Sequence, residues 1–200
     1  MTDWAAQVLQ FWFDGTDDAQ LAASRSAWFR KDAAFDDAIR QRFLPLWQRV
    51  ADGELLPDAA DAHAVLAWLI VADQFSRNLF RGQAQAFALD AAARTVAKAA
   101  LASGLEQQLP PVARWFFYLP LEHSEVLADQ DESIRSFDSL PPDSPERAGV
   151  VDYAEKHRAI IARFGRFPHR NAALGRPLPR TSCSFWRSRA ARSDFLKEML

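Results

Sequence analysis

The stretch D-A-H-A-V-L-A-W-L-I-V-A-D-Q-F-S-R, from Asp61 to Arg77, decides the fold. Asp61 is a favourable N-cap residue, and the apolar residues that follow recur at helical spacing, so the stretch predicts a helix. The apolar stripe through Leu66 and Ile70 continues through Asp73 and Arg77, because steps of three, four and seven residues stay on one helix face. The pattern therefore places a carboxylate at a core position.

Helical signals continue on both sides of this stretch. There are few β-branched runs, no Asn-Gly hairpin signal and only seven glycines. Further helices are predicted to begin after Thr2 and Asp32, at Asp90, and near Pro111, Leu121 and Arg147. Their expected ends are Gly15, Pro45 (a kink or an end, with Gly53 beyond it), Gly104, Pro120, Phe137 and Gly165. Consecutive helices with short connections predict an all-α fold of antiparallel helix pairs, arranged as a solenoid or a bundle.

Composition indicates one domain. The 200 residues are 49% hydrophobic and include seven Trp and fifteen Phe, which is ample material for one core. Cys183 is the only cysteine and cannot form an internal disulfide, and the first residues lack a signal-peptide pattern. No apolar run approaches the roughly 18 residues of a membrane span. We therefore expect a cytoplasmic location and no membrane partner.

The charge distribution is uneven. Ten Lys or Arg and no Asp or Glu lie between Lys156 and Ser193, although the formal net charge of the chain is only −2. This basic segment could bind phosphate or nucleic acid, or it could pair with the acidic remainder of the chain. Because no nucleic-acid motif accompanies it, we favour internal pairing and expect no nucleic-acid partner.

Three stretches are rich in charged and imidazole side chains within an otherwise apolar helical pattern. They are D-Q-F-S-R-N-L-F-R-G (residues 73–82), P-L-E-H-S-E (120–125) and R-F-G-R-F-P-H-R-N (163–171). Buried ionisable groups are costly unless paired, and groups with perturbed pKa values gather at functional sites. The three stretches therefore predict one shared polar site.

The first stretch has a structural and a functional interpretation. Arg77, one turn beyond Asp73, can neutralise the carboxylate as a structural pair, while Arg81 is left to face a ligand or a loop. Both interpretations remain open.

The histidines are the main catalytic candidates. His157 lies within an apolar helix face, and His123 is predicted to share a face with Leu127 and Phe137. A histidine on an apolar face is more often a hydrogen-bonded core residue than a catalyst. Glu125 could act with a histidine in acid–base catalysis, or it could pair with arginines of the third stretch.

The spacing of His123 and Glu125 argues against a metal site. His123 and Glu125 are two residues apart, which places them on different sides of a helix, so they do not form a chelate. We predict no metal and no cofactor.

The third stretch predicts a helix C-cap followed by a proline-fixed loop. Arg166, His169, Arg170 and Asn171 can all donate hydrogen bonds from this loop, which would make an anion clamp. Alternatively, they bind carbonyls and carboxylates at neighbouring helix ends.

Several motifs together resemble a known family. They are Q-F-W-F, W-F-R-K-D with F-D-x-x-I-R, D-Q-F-S-R-N-L-F-R-G with the following A-F-A-L-D, F-Y-L-P-L-E-H-S-E-x-L-A-D-Q and H-R-A-I-I-A-R-F-G-R-F-P-H-R-N-A-A-L-G-R. From about Trp4 to Arg176 the chain resembles the bacterial family called domain of unknown function 924. The resemblance implies an all-α, tetratricopeptide-like fold and carries no established activity.

The resemblance stops at Arg176. We therefore divide the chain into a single all-α domain, residues 1–176, and an atypical basic tail, residues 177–200. Our hypothesis for the tail is a change of reading frame, which re-sequencing of the coding DNA would test. We give the tail and Cys183 no functional weight.

These observations leave three functional hypotheses. The first is a binding protein whose polar pocket holds an anionic small molecule or a peptide. The second is a hydrolase that uses a histidine–carboxylate pair and an arginine clamp, with His123, Glu125 and His157 as catalytic candidates. The third is a purely structural polar network. The predicted ligand-binding residues are Asp73, Arg77, Arg81, His123, Glu125, His157, Arg166, His169, Arg170 and Asn171. We lean towards binding and leave a homodimer open.

Overall fold

The computed structural model describes residues 2–144 and 146–177, so the predicted tail lies almost wholly outside the described residues. Within these ranges the chain is all-α, with helices and turns and no strand. The α-helices are α1 (Asp3–Phe13), α2 (Asp18–Leu21), α3 (Ala33–Ala51), α4 (Ala62–Leu69), α5 (Ser76–Leu79), α6 (Asp90–Ser103), α7 (Pro111–Glu122), α8 (Leu127–Asp138) and α9 (Arg147–Phe164). A π-helical segment, Ile70–Phe75, joins α4 to α5, and 3₁₀ turns occupy Ala84–Phe87, Leu105–Gln108 and Pro168–Arg170.

Side-chain caps set two of the predicted helix starts. The Asp32 carboxylate accepts hydrogen bonds from the backbone N–H groups of Ala34 and Phe35, and Asp61 caps α4 in the same way. The Thr2 side chain makes no cap hydrogen bond. At the end of α1 it is Asp14, before the predicted stop at Gly15, that adopts the left-handed conformation, with φ 64°.

The predicted stop at Pro120 is wrong, and of the two alternatives predicted at Pro45, a kink or an end, the end is excluded. Pro45 lies inside α3 and Pro120 lies inside α7. A proline inside a helix removes one backbone hydrogen bond and costs about 3 kcal/mol. In α3 the buried side chains of Trp47 and Val50 continue the apolar face beyond Pro45, and their burial offsets this cost.

The predicted helix from Leu121 to Phe137 is also wrong. It is divided between α7, which ends at Glu122, and α8, which begins at Leu127. The Ser124 hydroxyl donates to Asp129 Oδ2 (2.6 Å) and accepts from the Val126 N–H (3.1 Å). These local bonds stabilise a turn in place of a helix. His123 is therefore the C-cap of α7 and does not share a helix face with Leu127.

The α4–π–α5 unit runs through the middle of the molecule. It contacts α1, α3, α6 and α7, and the successive helices α6, α7, α8 and α9 each contact the next. Beside this unit, Trp12 and Phe13 pack edge-on against Phe116, with ring centroids 5.7 and 5.5 Å apart. These aromatic contacts fix the frame from which the polar side chains project.

None of the helices within residues 2–144 and 146–177 combines the length and the apolar character that crossing a bilayer requires.

Candidate functional site

Asp73 lies in the π-helical segment and is 1% exposed. Its Oδ1 atom is 2.8 Å from Nδ1 of His123 and 3.0 Å from Nη1 of Arg77, while Oδ2 accepts a 2.6 Å hydrogen bond from Gln74. Burial by itself would raise the pKa of Asp73, but the Arg77 guanidinium and His123 hold that pKa well below its usual range. Asp73 is therefore a buried, ionised carboxylate.

His123 presents a neutral imidazole. Burial, followed by the positive charge of Arg77, lowers the pKa of His123. Because ionised Asp73 can only accept, Nδ1 of His123 donates to it, and this assigns Nε2 as the nitrogen with the free lone pair. The side chain remains 16% exposed.

Asp90, the first residue of α6, bridges two arginines. Its Oδ1 is 3.1 Å from Nη1 of Arg77, and its Oδ2 accepts a 2.9 Å hydrogen bond from Nη1 of Arg170. We predicted that Asp90 would be the cap of α6, and this is wrong, because the N-cap residue is Leu89 and Asp90 is the first residue of the helix. The two guanidinium groups draw the carboxylate away from the helix end.

Arg170 joins the 3₁₀ turn after α9 to the rest of the site. Its Nη2 donates a 2.9 Å hydrogen bond to the carbonyl of His123. Its guanidinium carbon lies 4.6 Å from the ring centroid of Phe87 and 4.6 Å from that of Phe167. Stacking on both rings holds the guanidinium in place.

Glu122 and His157 form a second buried pair. Nδ1 of His157 lies 3.0 Å from the carbonyl of Tyr153, to which it must donate, and 3.3 Å from Oε1 of Glu122. Burial, with a contribution from the charge of Asp73, raises the pKa of Glu122 to about 8, and burial lowers the pKa of His157 to about 3. Although the separation is that of an ion pair, both groups are thus mostly neutral at pH 7.

These side chains surround a cavity of about 1020 Å³. The buried or partly buried polar side chains in its lining include Gln74, Arg77, Asn78, Arg81, Glu122, His123, His157, His169 and Arg170. The apolar part includes Trp28, Phe87, Trp115, Leu119, Phe137, Val150 and Phe167. A recessed, mainly apolar cavity with a few convergent polar groups is the usual form of a small-molecule site.

The profile of a bacterial protein family of unknown function, DUF924, matches residues 8–187. The chain belongs to the DUF924 family.

One solved structure is similar to this DUF924 chain over almost its whole length. It is that of ATU0120 from Agrobacterium tumefaciens, a protein of unknown function. The two chains are 36% identical and superpose with a TM-score of 0.79, over 92% of this chain and 96% of that one. No curated protein matches this chain.

The DUF924 fold brings seven of the predicted residues to the cavity from separate elements. Asp73 lies behind the wall in contact with His123, and six others line it: Arg77, Arg81, His123, His157, His169 and Arg170. Burial, with Arg170 nearby, lowers the pKa of His169 to about 3.

Three predicted residues do not line the cavity. Glu125 lies in the turn between α7 and α8, accepts a 2.8 Å hydrogen bond from the Phe167 N–H and makes a bidentate pair with Arg176, at 2.7 and 2.9 Å. The arginine that forms hydrogen bonds to Glu125 is therefore Arg176, which lies outside the predicted partners in residues 163–171, although the charge of Arg170 also contributes to the lowered pKa of Glu125. Arg166 is only partly buried, and Asn171 is buried but is not part of the lining.

Arg81 already has a carboxylate partner. Its Nη2 donates to Oδ1 of Asp36 at 2.9 Å, and Asn78 donates to the same oxygen at 2.7 Å. The sequence indicated that Arg81 would face a ligand or a loop, and the structure adds a contact with α3.

No three or more His, Cys, Asp or Glu side chains in the described part of the chain are arranged to hold a metal ion.

Sequence reasoning missed Asp90, Phe87 and Phe167 as members of the site. All three lie in stretches that carry the family resemblance, but an aspartate at a helix start is more often a cap, and an isolated phenylalanine is more often core. Only the contacts of Arg170 with these three side chains distinguish members of the site from a helix cap or a core phenylalanine.

Proposed function

We propose that this protein binds an anionic small molecule, or the carboxylate of a peptide, in the cavity of about 1020 Å³. The observation that carries the proposal is that Arg77, His123 and Arg170, from three separate elements, meet at one apolar cavity. Binding sites of this kind combine apolar walls with a few oriented polar groups.

The hydrogen bonds of the two arginines support this proposal. Nη1 of Arg77 is shared between Asp73 and Asp90, whereas its buried Nη2 has no hydrogen-bond partner among the described residues. The buried Nε of Arg170 likewise has none there. Buried donors without partners are costly, so an acceptor that reached them after a small side-chain movement would be favoured.

A substitution at Gly149 tests whether ligands enter the cavity. Gly149 is exposed and lines it, and an added Cβ would meet no atom within 4 Å, so Gly149→Phe should add a bulky ring at the cavity wall, with circular dichroism to establish that the variant is folded. Native mass spectrometry of the purified protein and thermal shifts across a panel of organic acids should show binding to the wild type and to the Gly149→Ala control, and little binding to Gly149→Phe. Equal binding by both variants would place the ligand elsewhere.

The second candidate is a hydrolase, favoured by the 2.8 Å contact between Nδ1 of His123 and Oδ1 of Asp73. In this mechanism Nε2 of His123 removes a proton from water while the water oxygen bonds to a substrate carbonyl carbon. Arg77 stabilises the resulting oxyanion, and the imidazolium then gives its proton to the leaving group. Asp73 orients the ring and stabilises its cationic form.

Hydrolysis of a panel of aryl and alkyl esters tests the second candidate. The wild type should hydrolyse at least one ester with a rate that falls as His123 is protonated, and His123→Gln should lose that activity although circular dichroism shows that it remains folded. Loss of stability in His169→Ala and Arg170→Ala, with no ligand-induced thermal shift in the wild type, would instead favour a structural network.

Three further expectations accompany these proposals. We propose that the helices stack in antiparallel pairs of the tetratricopeptide-like kind, which the contacts between the successive helices α6 to α9 support. The cytoplasmic location and a homodimer remain predictions. Sedimentation of the purified protein tests the homodimer.

A further inference from the structure

The apolar lining of the cavity comes from several separate parts of the fold. Trp28 lies between α2 and α3, Trp115 and Leu119 are on α7, Phe137 is on α8 and Val150 is on α9. This lining faces the same space as Arg77 and His123. A ligand that fills the cavity must therefore have an apolar body.

The charges of the polar wall are already balanced. Arg77, Arg81 and Arg170 contact the carboxylates of Asp73, Asp36 and Asp90. Each of the three cations therefore has a carboxylate partner. A ligand that carried two negative charges would bring both into a site with no excess positive charge, which is unfavourable where water is excluded.

Other ionisable groups that line the cavity do not change this balance. Glu122 is mostly protonated at pH 7, and His123, His157 and His169 are neutral. Arg30, Lys31 and Glu146 also line the cavity, but they are exposed, so solvent and salt screen their charges.

A single carboxylate needs only a small adjustment. Arg77 divides Nη1 between Asp73 and Asp90, and its Nη2 has no partner among the described residues. A carboxylate oxygen can accept from this guanidinium group while the apolar body of the ligand lies against Trp115 and Leu119.

We propose that the ligand is an amphipathic monocarboxylate, with one carboxylate at Arg77 and an alkyl or aryl body against the apolar lining. This inference rests on the proposed binding function and narrows it from anions in general to one class.

A series of compounds that share an eight-carbon chain tests the inference by calorimetry at pH 7. The probes are octanoate, octanedioate, octyl phosphate and 1-octanol, with butyrate and hexanoate to vary the length. Octanoate should bind at least tenfold more tightly than each of the other eight-carbon probes. From butyrate to octanoate the association constant should rise about fourfold per methylene, the equivalent of about 0.8 kcal/mol per buried CH₂.

Each alternative result has a defined meaning. Tighter binding of octyl phosphate or octanedioate than of octanoate would overturn the monocarboxylate class but keep the anion-binding function. Equal binding of 1-octanol would overturn both. Equal binding of butyrate and octanoate, or no binding of any carboxylate, would overturn the amphipathic class.

Two variants locate the apolar body within the cavity. Val150→Trp narrows the cavity and should weaken octanoate binding at least tenfold, with a smaller effect on butyrate. Ala159→Trp is the control, because Ala159 is exposed on the same helix and does not line the cavity. Circular dichroism establishes that both variants are folded. Equal losses of octanoate binding in the two variants would contradict the placement of the apolar body of the ligand against Val150.

Discussion

Glu122 and Glu125 are three residues apart and have opposite electrostatic environments. Burial raises the pKa of Glu122 to about 8. Burial would also raise the pKa of Glu125, but the hydrogen bonds from Arg176 and the Phe167 N–H lower it below its usual value. One glutamate is thus most stable when protonated and the other when ionised, although nothing in P-L-E-H-S-E distinguishes them.

We predict that Glu122→Gln stabilises the protein at pH 8. The unfolded chain releases the Glu122 proton near pH 4.5 and the folded chain keeps it until about pH 8, so the wild type loses stability as the pH rises between these values. The glutamine variant should gain on the order of 4 kcal/mol relative to the wild type by pH 8, and little at pH 4.5. Urea denaturation at several pH values measures this difference.

Glu125→Gln is the matched control for Glu122→Gln. The lowered pKa of Glu125 means that its ionised form stabilises the fold above about pH 4.5, and this stabilisation is lost as the pH falls through the lower folded value. The control should therefore be less stable than the wild type at pH 8. If both variants changed stability in the same direction, the assigned environments would be wrong.

A second residue-scale prediction concerns Asp73. Asp73→Asn should lower the free energy of unfolding by about 3 kcal/mol, because Arg77 stays buried with one carboxylate fewer. Asp138→Asn provides the comparison, since Asp138 is exposed and its pair with Arg147 is worth less than about 1 kcal/mol. Similar losses in the two variants, measured by chemical denaturation, would refute the buried-pair interpretation.

Residue-scale prediction from the sequence succeeded where periodicity alone decides. The stripe through Leu66 and Ile70 placed Asp73 in the core, and Arg77, one turn on, contacts it. The contact of Asp73 with His123 spans 50 residues of sequence, and periodicity within one helix has no information about such a distance.

At the scale of elements, α4 and α5 are joined by a π-helical segment that contains Asp73 and Gln74. In a π-helix the hydrogen bonds run from residue i to i+5, and such segments are often found at functional sites. The sequence suggested one regular helix over residues 61–77, because the apolar pattern is continuous across the change in helical geometry. The candidate site therefore lies where the backbone departs from regular α-helical geometry.

Pro45 and Pro111 allow a test of helix propensity at the element scale. Pro45 is exposed inside α3, whereas Pro111 occupies the first turn of α7, where proline is well tolerated. Pro45→Ala should raise the free energy of unfolding by about 1 kcal/mol or more, because it restores a backbone N–H and relieves a clash. Pro111→Ala should leave it nearly unchanged.

Equal effects of the two proline substitutions in thermal or urea denaturation would show that the position of proline within the helix does not matter.

Prolines were poor helix stops in this sequence because the apolar faces continue beyond them. The caps at Asp32 and Asp61 were predictable because they depend only on neighbouring residues.

At the scale of the whole molecule, the ionisable groups of the cavity predict how stability varies with pH. His123, His157 and His169 all have lowered pKa values in the folded chain. As the pH falls below about 6.5, the unfolded chain binds protons on these residues that the folded chain does not bind, so stability is lost. Glu122 acts in the opposite sense and lowers stability as the pH rises towards 8.

The balance of these groups places the maximum of stability near pH 7. Between about pH 4.5 and 6.5 His157 and His169 already outweigh the single Glu122, and His123 acts in the same direction, so stability rises with pH. Above about pH 7 the histidine contribution fades and Glu122 dominates, so stability falls by less than about 1 kcal/mol per pH unit. Urea denaturation from pH 5 to 9 should give this asymmetric curve. His169→Gln should reduce the slope of the free energy of unfolding against pH below about pH 6.5 by the equivalent of one bound proton. It should leave the slope above about pH 7.5 unchanged. A wild-type curve that is flat from pH 5 to 9 would mean that burial does not shift the pKa values of these four groups in the folded protein.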